Sequence, residues 1–228
     1  MRFVARIGTL SVLAGCLLGA GSAQAALSGF TSKASFDAAI GGLSAAQTVD
    51  FDAVAAGTTF ASGAGTGGLT FSYSIAGPST LQVSDTFGTT SGLNYLGLDN
   101  PDTAFYLGDS FTINFNRTVH AVGLYLIAGR DAQAGDMQLS VAAGSVLNRA
   151  SADMLVSDGQ AFYLGLVESD SNLGFTSATV QMVLTPNAFL AITADDITSA
   201  VSAVPEPGTW ALMLGGLGAL TTLRRRTR

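Results

Sequence analysis

The chain has 228 residues, 48% hydrophobic and only 11% charged, with a formal net charge of −6, one cysteine and one histidine. Between residues 27 and 204 the balance is steeper: Lys33, Arg117, Arg130 and Arg149 stand against fourteen aspartates and Glu168, four minus fifteen, or −11. A surface of that sign repels phosphate backbones and argues against nucleic acid as a partner. The single histidine and cysteine leave no inventory for a disulfide framework or a zinc cluster.

Arg2 and Arg6 open the chain, residues 7–20 are apolar, and Ala23-Gln24-Ala25 forms an A-x-A site with cleavage expected before Ala26. Residues 1–25 therefore read as a secretory signal peptide. Leu13-Ala14-Gly15-Cys16 resembles a lipobox, the site at which lipoprotein signals are cut, yet Leu17 and Leu18 prolong the apolar run where a lipoprotein would turn polar. Cleavage at the A-x-A site removes the cysteine. The mature domain, residues 26–203, must then be held together by its core alone.

A short helix is predicted over residues 33–40, capped by Thr31 or Ser32, with Phe36 and Ile40 on one face and Gly41-Gly42 ending it. A strand over residues 47–52 follows. Apolar and polar residues alternate at 69–75, 111–115, 137–141, 162–166 and 180–184, while residues 119–128 are apolar on both faces and read as a central strand. About ten strands at this spacing predict a mainly β fold, a single β-sandwich with one short N-terminal helix. Residues 198–204 read as a linker.

Catalytic chemistry is scarce. His120 is in phase with Val122, Leu124 and Leu126 at the start of the apolar strand, which favours a structural role over a place in a triad. No G-x-S-x-G elbow, H-E-x-x-H pair or P-loop occurs. Carboxylate pairs are the exception: Asp50 and Asp52 lie two apart on the predicted strand and share a face, and Asp195 and Asp196 lie near the other end of the domain. If the first and last strands are neighbours, these four could converge on calcium, a hard cation that takes six to eight oxygens. The alternative is a set of exposed turn acids. A glycosidase would need two carboxyls about 5–10 Å apart in a cleft, which alternation does not establish. Loops at 99–102 and 129–136 are further binding candidates. Tyr95, Tyr106, Tyr125 and Tyr163 are either core residues or sugar-stacking platforms.

The tail carries Val204, Pro205, Glu206 and Pro207, an uncharged segment at 208–223, and Arg224, Arg225, Arg226 and Arg228. As a helix rising ~1.5 Å per residue, the apolar part at 210–223 reaches about 21 Å, short of a hydrocarbon core of ~30 Å. Trp210 at one interface and snorkelling arginines at the other let it cross, with the arginines on the cytoplasmic side. Such a length also suits a buried helix, but the arginine cluster is hard to bury.

These three parts, in this order, resemble the PEP-CTERM sorting signal of Gram-negative bacteria. The resemblance implies recognition by an exosortase, a membrane-embedded cysteine transpeptidase acting near the Pro-Glu-Pro element. It also implies a transient single-pass stage in the inner membrane and a final place at the cell surface or outside the cell. Exosortase systems accompany exopolysaccharide production and biofilm. The opening helix and Thr48-Val49-Asp50-Phe51-Asp52, with the closing Ala194-Asp195-Asp196-Ile197, resemble PEP-CTERM ectodomains of jelly-roll-like form. The expectation is a non-enzymatic surface or matrix protein without a required cofactor. The alternative is a lectin-like, calcium-dependent or calcium-free carbohydrate-binding module, and the third reading is an exported hydrolase using an acidic pair.

Overall fold

A computed structural model describes residues 27–129, 132–183 and 190–202. The signal peptide, the sorting motif, the apolar segment and the terminal arginines lie outside the described residues, as do Arg130, Asp131 and Leu184.

The chain opens with β1 (Leu27–Phe30), α1 (Lys33–Ile40), β2 (Ser44–Val49), β3 (Thr59–Phe60), β4 (Leu69–Ser74), β5 (Leu81–Ser84) and β6 (Tyr95–Leu98). It continues through β7 (Ser110–Val119), β8 (Ala121–Ala128), β9 (Met137–Val141) and β10 (Gly144–Leu147). Last come β11 (Met154–Val156), β12 (Gly159–Glu168), β13 (Phe175–Met182) and β14 (Ile192–Val201).

All pairings are antiparallel and form two sheets. The nine-stranded sheet runs β1-β12-β8-β14-β6-β5-β3, with β11 also on β12 and β2 also on β14; the five-stranded sheet runs β10-β9-β13-β7-β4. Val122, Leu124 and Leu126 of β8 share one hydrophobic cluster with Phe111, Ile113 and Val180 from the other sheet. That shared cluster is the main core.

The opposite face of β8 is buried too. Tyr125 and Ile127, with Ala161 and Tyr163 of β12, form a second cluster under α1, centred on Phe36. Gly123 and Gly165 are direct cross-strand partners. A Cβ on Gly165 would lie 2.4 Å from the Phe36 ring, and one on Gly123 would lie 2.2 Å from the Tyr163 hydroxyl and 3.1 Å from Phe36. The paired glycines thus make a notch that admits the phenylalanine. Tyr163 packs on Phe36 at 5.4 Å between centroids, and Tyr125 meets Tyr163 edge-on at 5.0 Å. This second layer explains why β8 is apolar on both faces.

His120 marks the bend where the chain leaves the five-stranded sheet at β7 for the nine-stranded sheet at β8. Its Nδ1 accepts the Ser202 N–H at 3.0 Å, so Nε2 carries the proton and donates it to the Ser171 carbonyl at 3.1 Å. The ring ties the bend to the end of β14. That is a structural role.

Several expectations change. Fourteen strands are present among the described residues rather than about ten, because β3, β5, β10 and β11 have four residues or fewer and too little alternation to register. The strand expected at 47–52 runs from Ser44 to Val49, so Asp50 and Asp52 lie on the turn after it. The linker expected from residue 198 is strand as far as Val201. The helix has the expected bounds and Ser32 at its N-cap, but the serine side chain makes no capping hydrogen bond.

The notch yields a stability prediction. Phe36→Ala should cost ~3–5 kcal/mol and Gly165→Ala ~1–3 kcal/mol in urea unfolding. Once Phe36 is gone, Gly165→Ala should cost almost nothing more, because the two changes act on one contact.

Candidate functional site

β14 has β8 along one side, but its other side is served by two separate strands. β6 pairs at Ala194 and β2 pairs from Ile197 to Val201. Between them the register against β8 shifts from Asp195 to Thr198, and Asp196 adopts a left-handed φ of 52°. Asp tolerates that conformation better than most residues. The turn after β2 and the loop entering β6 meet at this break.

All four sequence-predicted aspartates gather here. Asp195, fully buried, accepts the backbone N–H groups of Thr90 (2.9 Å) and Ser91 (3.0 Å) at Oδ2 and its neighbour's N–H at Oδ1 (2.8 Å). The Thr90 and Ser91 hydroxyls contact the same carboxylate at 2.9 and 3.1 Å. Asp52 accepts the N–H groups of Leu93 (2.9 Å) and Asn94 (2.8 Å). Asp50 takes the Asp52 N–H at 3.2 Å, and its carbonyl accepts the Ser91 hydroxyl at 3.2 Å. Asn94 closes the turn by donating to the Val54 carbonyl at 2.8 Å. Phe51, between the two acids, has φ 63° and is buried in the main core.

The geometry gives Asp195 and Asp52 a defined role, which is to accept the peptide N–H groups of Thr90, Ser91, Leu93 and Asn94 at the break, while the Gly92 N–H goes to the Thr89 hydroxyl. Asp195 is a buried acceptor, not an exposed turn acid. No group of three or more His, Cys, Asp or Glu side chains among the described residues is arranged to hold a metal ion. Both Asp195 oxygens and one oxygen each of Asp50 and Asp52 accept N–H groups.

Burial, then the adjacent Asp196 charge, pushes the Asp195 carboxyl up to about 6, against the pull of the Thr90 and Ser91 hydrogen bonds. Asp196 is raised as well, by burial foremost; Thr90 and Lys33 counter this, and the Asp50 and Asp52 charges add to it. The Thr90 hydroxyl has one proton, yet its oxygen lies 2.9 Å from both Asp195 and Asp196. An added proton on either acid completes the triangle.

Three of the four tyrosines lie in the core, while Tyr106 is half-buried. Tyr95, Tyr125 and Tyr163 are buried, and the Tyr125 hydroxyl donates to Asp153, which also accepts the Lys33 N–H at the start of α1. Tyr106 donates to Asp102 at 2.6 Å. Asn100 closes its own loop on Ala104, and Asp136 accepts the Gln133 N–H. Residues that sequence reasoning passed over are Thr90, Ser91 and Asn94. Their Gly/Ser/Thr-rich context marked only a loop.

Residues 203–227 match the PEP-CTERM protein-sorting motif. The match includes Val204, Pro205, Glu206 and Pro207, and begins two residues after β14 ends. A motif of this kind implies an exosortase-processed protein that transits the membrane and reaches the cell surface. No curated protein matches the chain. Among solved structures, the K2 cleaved adhesin domain of Lys-gingipain is similar at 14% identity and a TM-score of 0.40, over 68% of this chain and 98% of that one.

The raised acid has a sign that can be measured. A carboxyl whose folded value lies above its ordinary 3.8 stabilises the fold as pH falls through about 6, and that gain levels off below about 4. Between pH 7 and pH 5, Asp195 should therefore add about 1 kcal/mol of stability. Urea titrations at the two pH values should show this increment in the wild type and its loss in Asp195→Asn.

Proposed function

We propose that this chain is an exported, non-enzymatic protein of the cell surface or matrix, released by an exosortase and residing with exopolysaccharide. The sorting motif at 203–227 carries the reading. On this view the described residues are the passenger, a jelly-roll-like sandwich behind a signal peptide cut before Ala26. The segment at 208–223 holds the passenger briefly in the inner membrane, oriented by Arg224, Arg225, Arg226 and Arg228. The use of His120 as a structural clamp and of the aspartates as peptide acceptors supports a passenger without catalysis. A structural role of that kind also favours a cofactor-free protein.

A second reading, a carbohydrate-binding passenger, is favoured by an exposed aromatic at a cavity rim, Phe87. In that reading the ligand is a glycan and calcium is dispensable.

Replacing Pro205, Glu206 and Pro207 by alanine should leave an unprocessed, membrane-bound form, seen as a heavier species in the membrane fraction by mass spectrometry. Release at the wild-type mass would remove the exosortase reading. Retention of the wild-type protein on immobilised exopolysaccharide should persist in EDTA. Loss in EDTA would return the four aspartates to a calcium role, and no retention under either condition would remove the carbohydrate reading.

A further inference from the structure

We propose that a cavity on the helix-bearing face of the nine-stranded sheet, between Phe87, Asp158 and Thr193, binds the acetamido group of an N-acetylated amino sugar. The cavity measures about 130 Å³, and Ala104, Ile127 and Ala128 supply apolar wall. An apolar cavity of ~150 Å³ holds one benzene ring. The space therefore suits one small group, and a chain of sugars would have to extend outside it.

Three features of the lining define the chemistry. Thr193 pairs with Ile127 across the sheet, so both face the cavity side, and its hydroxyl is buried without a partner. An unpaired buried hydroxyl is costly. A ~120° step about χ1 carries the hydroxyl into the well the methyl now fills and the methyl into the well of the Cβ hydrogen, and the turned hydroxyl can then donate to a carbonyl. Asp158 binds the Gly88 N–H (3.0 Å) and the Ser157 hydroxyl (2.9 Å) through Oδ2, and Oδ1 takes no hydrogen bond from the described residues. That oxygen is an acceptor for an amide N–H or a sugar hydroxyl. Phe87 is 39% exposed and lies nearly parallel to buried Tyr95, with centroids 6.4 Å apart and planes at 23°. Tyr95 is itself fixed by Thr103 at 2.6 Å, so Phe87 has a firm backing for a pyranose ring.

A methyl group, a carbonyl, an N–H and a flat C–H face are what these elements complement together. Plain hexose would leave the apolar volume unfilled. A fatty acyl chain would leave the Thr193 hydroxyl without the partner it already lacks and would meet the Asp158 charge at the rim. The rim is held by close approach: a Cβ on Gly88 would come within 2.3 Å of the Ser157 hydroxyl, which locks the loop before β6 to the turn between β11 and β12.

The proposal rests on the exported, glycan-associated reading only for where the ligand is met; binding itself does not require sorting. Saturation-transfer NMR with the full chain in lipid nanodiscs and N-acetylglucosamine should place the strongest transfer on the acetyl methyl, with none to glucose. Thr193→Val should weaken binding about ten-fold without lowering the thermal midpoint, and Phe87→Ala should weaken it as much. Absence of transfer to the acetyl methyl, or transfer in both variants equal to that in the wild type, would overturn the site. Neither result bears on processing at Pro205-Glu206-Pro207, so the two readings fail separately.

Discussion

The buried Asp195 carboxylate is the contact on which the nine-stranded sheet depends. β14 is central, yet one of its edges is shared by β2 and β6, which do not meet end to end. A break in a sheet leaves peptide groups without partners, and buried peptide groups without partners are expensive. Asp195 and Asp52 supply the missing acceptors, so the loop through residues 90–94 joins the sheet by side-chain oxygens instead of a ladder. The cost is a charge in a dry place beside a second carboxylate, seen in the upward shift of both acids.

From that break the rest of the outer face follows. The same side of the sheet carries α1 at one region and the Phe87 cavity at another, separated by the tyrosine layer. Phe36 enters where two opposed glycines remove side-chain bulk, and Asp153, bound to the Lys33 N–H and the Tyr125 hydroxyl, adds a polar tie between helix and sheet. The second layer has its own unpaired group, the Tyr163 hydroxyl, whose proton is held more tightly by burial first and by the charge of Asp37 second. Together these features describe a passenger held by packing and internal hydrogen bonds, as suits a chain whose only cysteine lies at Cys16.

Period-two alternation is a sound guide where a strand has one wet face and one dry face, as at Leu69, Phe71 and Tyr73 or Phe111, Ile113 and Phe115. It fails for β5 and β6, whose few residues are nearly all buried, and for β2, which is mostly exposed. The acidic pairs are legible as chemistry-bearing residues, and their meeting follows from the pairing of β2 with β14. Their partners are not legible. Thr90, Ser91, Leu93 and Asn94 contribute mainly backbone N–H groups, and a backbone donor has no signature in residue type.

What the residues determined alone was anything written in local order: the sorting motif at 203–227, the helix at 33–40, the strand alternation and the acidic balance. Each depends on neighbours a few positions apart, so a linear reading captures it. Only the tertiary structure decided that Asp195 is a buried acceptor, that Gly123 and Gly165 oppose one another beneath Phe36, and that Phe87, Asp158 and Thr193 share a cavity. Those contacts join residues tens of positions apart. Which of many loops and acids meet is settled by strand order and register, and these arise from the competition of all apolar faces for one core.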